Sequence, residues 1–235
     1  MKKLGIIGGM GPMATVYFMQ LVTEMTDAAV DQDHIEMFVH SIPSIPDRTK
    51  FILGESDDNP LPHLLAAGQG LIDQGAEVIA IPCITAHFFE KDLASLLVPC
   101  IDSLMETGIY LKDEDIRRVG IMATDGTVGS GLFQKALAGY GIECVLPDTE
   151  SQKKVMHLIY DNVKAGRPIE MDKFFDVKDE LTDKGAEVVI LGCTELSVIK
   201  RDHDVGPHVL DVLDVLARKS VEMCAKVKKE YEYLL

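Results

Sequence analysis

Two segments of this chain are near copies. Asp73-Gln-Gly-Ala-Glu-Val-Ile-Ala-Ile-Pro-Cys83 is repeated 110 residues later as Asp183-Lys-Gly-Ala-Glu-Val-Val-Ile-Leu-Gly-Cys193. A fainter echo aligns Gly5-Ile-Ile-Gly-Gly-Met-Gly-Pro with Gly120-Ile-Met-Ala-Thr-Asp-Gly-Thr, 115 residues on. Offsets close to half of a 235-residue chain predict a duplicated lobe with one thiol at the same point of each copy. Each copy holds a short apolar run that starts after a turn and ends at the cysteine, the pattern of a buried strand. Runs of this type occur at 4–9, 35–42, 78–83, 98–101, 118–124, 143–147, 188–193 and 208–211, and amphipathic helical stretches separate most of them. Alternation of strand and helix predicts an α/β fold with parallel sheets. The expected architecture is two pseudo-symmetric lobes, each a four-stranded parallel sheet flanked by helices, with the active site in the cleft between them. The first lobe is expected over 1–100 plus 212–235, the latter as a final helix returning to it, and the second over 101–211.

Composition narrows the function classes. A hydrophobic content of 47% supplies a core, and the opening run reads as a first strand, so neither a signal peptide nor a membrane span is expected. The net charge of −15 repels nucleic acid and anionic membranes, and an anionic substrate then needs local cations. Five cysteines without close pairing point to reduced thiols in a cytoplasmic protein. Seven scattered histidines show no metal-ligand spacing, so no metal is expected.

In parallel sheets, ligands gather where strands end and helices begin. Cys83 and Cys193 both stand at such points, where unpaired N–H groups favour a thiolate. Two such thiols suit proton exchange at a carbon beside a carboxylate, one as base and one as acid. The plainer alternative is a pair of buried strand-end cysteines, and repetition in both copies favours function; Cys100, Cys144 and Cys224 lack the context. Thr85 and Thr194 add hydroxyl donors. The turn Gly8-Gly-Met10-Gly-Pro-Met-Ala14 also fits a dinucleotide fingerprint, but no acidic residue ends the second strand; a turn presenting N–H groups to a carboxylate is the better fit. The Ala123-Thr124 loop ends a strand in the same way. Arg48 follows a proline-stiffened loop and is equally a two-point carboxylate ligand or a solvated surface residue. Lys164, near a helix carboxyl end, is better read as a dipole complement. His87 is read as a core hydrogen-bonding group, and Glu195 as either a cap or a support for Cys193.

The segments Gly8-Gly-Met-Gly-Pro-Met-Ala-Thr15, Ile45-Pro-Asp-Arg-Thr49, Pro82-Cys-Ile-Thr-Ala-His87 and Leu191-Gly-Cys-Thr-Glu-Leu196 resemble the cofactor-independent aspartate/glutamate racemases, aspartate racemases above all. The likeness spans essentially the whole chain. It implies Cys83 and Cys193 as the two catalytic thiols, each serving one enantiomer, and Arg48 and Lys164 as cations for the side-chain carboxylate. Substrate contacts near Met10, Ile84, Thr85, Thr124 and Thr194, a small acidic amino acid as substrate, no cofactor and a homodimer complete the implied picture. One position departs from the family pattern: Ile84 stands where an asparagine that contacts substrate is usual. An unmatched polar group in a closed site costs about 1–3 kcal/mol. That departure keeps open a related two-thiol reaction, such as maleate isomerisation or malonate decarboxylation, and a non-catalytic amino-acid-binding homologue.

Overall fold

The computed structural model describes residues 1–235. In chain order the elements are β1 (Leu4–Gly8), α1 (Pro12–Met25), β2 (Met37–Ser41), α2 (Arg48–Ile52), α3 (Leu61–Asp73), β3 (Val78–Ala80), α4 (Glu90–Leu93) and α5 (Ser103–Asp113), then β4 (Arg118–Met122), α6 (Asp125–Ser130), α7 (Leu132–Ala138), β5 (Glu143–Val145), α8 (Thr149–His157), α9 (Met171–Asp183), β6 (Val188–Leu191), α10 (Thr194–Asp202), β7 (Val209–Asp211) and α11 (Val212–Cys224). A 3-10 turn, Ile84–Phe89, follows β3, and a π turn, Leu158–Lys164, extends α8.

Two parallel sheets result, in the orders β2-β1-β3 and β5-β4-β6-β7. Each begins in the same way, with the first strand of the lobe between the second and third, as a duplication requires. The fourth strand expected at 98–101 is reduced to a parallel bridge between Ile79 and Cys100. The Ile79 N–H donates to the Pro99 carbonyl and the Ile101 N–H to that of Ile79. Pro99 has no N–H to extend the ladder, and Asp102 then turns the chain into α5 by accepting from the Leu104 and Met105 amides.

Side chains alternate across each sheet with the period of two that strands impose. Leu4 and Ile6 meet Phe18 and Leu21 of α1, whereas Ile7 and Ile79 face Leu64 and Leu71 of α3. In the second lobe Val119, Ile121, Val188 and Ile190 join Phe133 and Leu137 of α7, and Met122, Val189 and Leu191 join Val155 of α8 and Phe174 and Val177 of α9. Both sheets are therefore covered on both faces, which is why their strands read as continuous apolar runs. Helix α11 straddles the halves. Its Leu213, Leu216, Ala217 and Val221 complete the cluster under β1, and its Val212 and Val215 belong to the cluster under β4 and β6. No helix is long and apolar enough to cross a membrane.

Candidate active site between the lobes

Every residue singled out in the sequence lies just beyond a strand's carboxyl end or on a helix that follows one, and the two sets of ends converge. A single cavity of about 10 Å³ is lined by Met10, Arg48, Cys83, Ile84, Thr85, Thr124, Lys164, Cys193 and Thr194, together with Asp47, Thr49, Tyr160 and Glu195. All nine expected residues are thus brought together. A wider cleft of about 500 Å³, walled by Pro12, Met13, Pro43, Ile45, Val163 and Val198, shares Met10, Asp47, Arg48, Lys164 and Glu195 with it and forms its mouth. A more voluminous concavity, about 680 Å³, lies between α6 and α8 and carries neither cysteine; volume alone does not mark the chemistry.

Cys83 and Cys193 each occupy the residue before a helical segment, in extended conformation with φ of −156° and −146°. The local structures then differ. Cys193 precedes nine residues of α-helix, but Cys83 precedes a 3-10 turn, so the helix dipole expected at both thiols is fully developed only at Cys193. Gly192 lets the strand end close against the second core, because a Cβ there would sit 2.5 Å from the Phe133 ring.

The cations come from opposite lobes. Arg48 opens α2, whose first turn is fixed by the Asp47 carboxylate accepting from the Thr49 and Lys50 amides. Its guanidinium is buried and donates to the carbonyls of Ile45, Pro46 and Met10. Nε keeps no partner, which leaves the Nε edge of the fork for a carboxylate or a thiolate. Burial works to lower the Arg48 pKa, but the nearby charges of Cys83, Asp47 and Glu195 outweigh it and hold the group above its ordinary value. Lys164 ends the π turn with Nζ 4.3 Å from the centre of the Tyr160 ring and 3.8 Å from Glu195 Oε1. Burial opposes its charge too, and Glu195, Cys193, Tyr160 and Cys83 reverse the balance upward. Tyr160 reaches across the lobes to Asp47 at 3.4 Å.

Four hydroxyls stitch the floor. Thr85 meets Thr124 at 3.2 Å and Thr127 at 3.1 Å, Thr124 meets Thr127 at 3.1 Å, and Thr49 donates to Thr124 at 3.3 Å. Ile84 is 2% exposed and belongs to the second lobe's apolar cluster with Leu104, Val119 and Ile121. Met10 lines the cavity and gives its carbonyl to Arg48. In the glycine-rich turn the Gly9 N–H is taken by Thr15 Oγ1 at 2.9 Å, so that amide is committed internally rather than offered to a ligand.

The remaining cysteines are elsewhere. Burial pushes the Cys100 thiol up to about 12 and those of Cys144 and Cys224 up to about 11, where they are inert at neutral pH. Cys193 is also raised well above its ordinary value, first by burial and then by the Glu195 charge, against an opposing pull from Lys164. His87 is buried, with Nε2 2.9 Å from Ser103 Oγ, and burial lowers its pKa. No group of three His, Cys, Asp or Glu side chains is placed to hold a metal ion. Of the lining residues outside the nine, Glu195 carried a sequence signal through its place two residues after Cys193 and Asp47 and Thr49 through the segment they share with Arg48, whereas Tyr160 had none.

Two parallel sheets that each bring one buried thiol to a shared, cation-flanked cavity define a two-lobed α/β fold with its candidate site in the cleft. The chain belongs to the Asp/Glu/hydantoin racemase family, whose model matches residues 7–219. An aspartate racemase from Picrophilus torridus is 29% identical, covers 99% of this chain and 98% of its own, and superposes with a TM-score of 0.84. An aspartate racemase homologue from Pyrococcus horikoshii OT3 is 26% identical over 95% of this chain and 99% of its own, with a TM-score of 0.76. In sequence, a broad-specificity amino-acid racemase from Bacillus subtilis strain 168 is 26% identical over 229 residues, covering 93% of this chain and 96% of the relative.

Proposed function

We propose that the protein interconverts the L and D forms of an acidic amino acid, aspartate before glutamate, by proton transfer between two cysteines without a cofactor. The observation that carries this reading is the pair of buried thiols, one from each lobe, lining one cavity with Arg48 and Lys164. The named activity of the Picrophilus torridus aspartate racemase supports the substrate class. With the α-carbon between the sulfurs, the thiolate on one side removes the α-proton and the thiol on the other side returns one to the opposite face. Arg48 and Lys164 take the side-chain carboxylate, which gives an anionic substrate a local cationic site in a protein of net charge −15. Amides beside Thr85, Thr124 and Thr194 are suitably placed for the charge that develops on the α-carboxylate. A cavity of about 10 Å³ has room for little more than one water, so substrate enters from the 500 Å³ mouth and widens the site as it binds. The proposal extends to a homodimer, as the family resemblance implies, and to the reducing cytoplasm, where five unpaired cysteines stay reduced.

The test is α-hydrogen exchange. Either enantiomer of aspartate in deuterated buffer is expected to lose its α-proton signal by NMR while the opposite enantiomer accumulates. Cys83→Ala and Cys193→Ala are each expected to reduce racemisation at least about 10³-fold. Absence of exchange with both aspartate and glutamate overturns the reading, and full activity in either variant overturns the two-base assignment.

A further inference from the structure

The two thiols do not have equivalent neighbours. Cys193 donates its S–H to Glu195 Oε2 at 3.0 Å, and the carboxylate is 5% exposed. Glu195 Oε1 approaches Gly11, where a Cβ would stand 3.1 Å away, so the absence of a side chain at that turn makes room for the carboxylate. On the other side, no carboxylate accepts from Cys83, which shares the cavity with the Arg48 guanidinium. One sulfur therefore donates to an anion that accepts its proton in a hydrogen bond, and the other has no such acceptor and shares its cavity with a guanidinium. We infer that Glu195 is a positioning residue that holds Cys193 in its S–H form in the resting enzyme, reserving Cys83 for the first proton abstraction.

This inference rests on the proposed proton transfer and adds a direction to it. In one turnover the Cys83 thiolate takes the α-proton and becomes a thiol, while Cys193 gives its proton to the opposite face of the carbanion and becomes a thiolate. That thiolate then lies against the Glu195 carboxylate, an unfavourable pair of anions, and it is driven to recover a proton from solvent as Cys83 loses one to solvent. The titratable groups that share the cavity with Cys193 are Glu195 on its own helix, Lys164 and Tyr160 from the π turn, and Cys83, Asp47 and Arg48 from the first lobe. Glu195 and Lys164 act on it in opposite directions.

The decisive experiment is the pH dependence of iodoacetamide alkylation, read for Cys83 and Cys193 separately by peptide mass spectrometry on the intact protein. Cys83 serves as the internal reference for Cys193 in each variant. Glu195→Gln keeps the size of the side chain and is expected to speed Cys193 alkylation about tenfold at pH 8, whereas Lys164→Met is expected to slow it. A role limited to packing predicts faster alkylation in both variants, because loosening exposes the sulfur either way. An unchanged or slower Cys193 in Glu195→Gln, or a faster one in Lys164→Met, overturns the inference. Alkylation reads the thiols and not turnover, so this result stands apart from the isotope-exchange test of the racemase itself. Should racemisation be observed, kcat/KM is equal in the two directions because the enantiomers are isoenergetic. The bias then shows as unequal pairs of kcat and KM that converge in Glu195→Gln; pairs that keep their ratio count against it.

Discussion

Ile84 shows how far one side chain can be read from its neighbours in sequence. It follows Cys83, and it replaces the polar residue that the family pattern places there. In the folded protein it is buried in the apolar cluster under β4 and β6, so the branched side chain contributes to packing. Ile84→Asn is therefore expected to destabilise the protein by about 1–3 kcal/mol by burying an amide among hydrocarbons, seen as a lower denaturation midpoint without any gain in aspartate affinity. A tighter substrate KM in this variant would show instead that the amide reaches the ligand. Glu195 was legible as a residue of interest, but its role was not, because capping and thiol support need the same sequence position. Asp47 stood in a recognisable segment, but its pairing with Tyr160 was silent because it spans 113 residues.

At the level of elements, the glycine-rich turn after β1 is set by sterics. Gly9 has φ of +92°, and a Cβ there would lie 2.3 Å from the Ile42 amide nitrogen, a backbone atom with nowhere to go. Gly9→Ala is expected to lower stability by at least about 2 kcal/mol, measured by denaturant unfolding. It should also reduce racemisation more than the stability loss explains, because the turn carries the Met10 carbonyl that holds Arg48. The repeat itself conceals a difference in secondary structure. Both copies end a strand at a cysteine, yet Cys83 leads into a 3-10 turn and Cys193 into α10. Nearly identical strand segments do not dictate the type of the next element, and Ile84-Thr-Ala-His and Thr194-Glu-Leu-Ser pack against different partners.

Across the whole molecule the duplication extends to how the cysteine segments are anchored. Four residues after Cys83, His87 pairs with Ser103 beside the cap residue Asp102; four residues after Cys193, Ser197 donates to the cap residue Asp211 at 2.7 Å. The second anchor is charged and buried. Burial first, and then the Asp214 charge, push Asp211 up to about 7, with Lys200 opposing. An aspartate with a raised native pKa favours the folded state below its unfolded value near 4, and that contribution is lost as pH rises towards 7. Asp211→Asn keeps an oxygen for Ser197 and the Leu213 amide, and is expected to be more stable than the parent at pH 8, by a few kcal/mol. At pH 4 the difference should vanish, and thermal melts at the two pH values check both signs. A stability difference independent of pH would show that Asp211 is ionised throughout.

Strand periodicity and strand-end positions are local properties, so the chain alone was enough to read the α/β class, the duplication, seven of the eight strands and the two strand-end thiols with their neighbouring threonines, whereas Arg48 and Lys164 were picked out by the family resemblance. The fourth strand of the first lobe was overcounted because Pro99 truncates a ladder whose length depends on the partner strand. Which groups face each sulfur was settled by packing. Burial, the placing of Arg48 in one cavity with Cys83 and the Glu195 contact at Cys193 come from how two lobes and a straddling α11 fit together. Charge environments are set by separation in space, and the pairs that matter most here, Arg48 with Cys83 and Lys164 with Glu195, lie far apart in the chain.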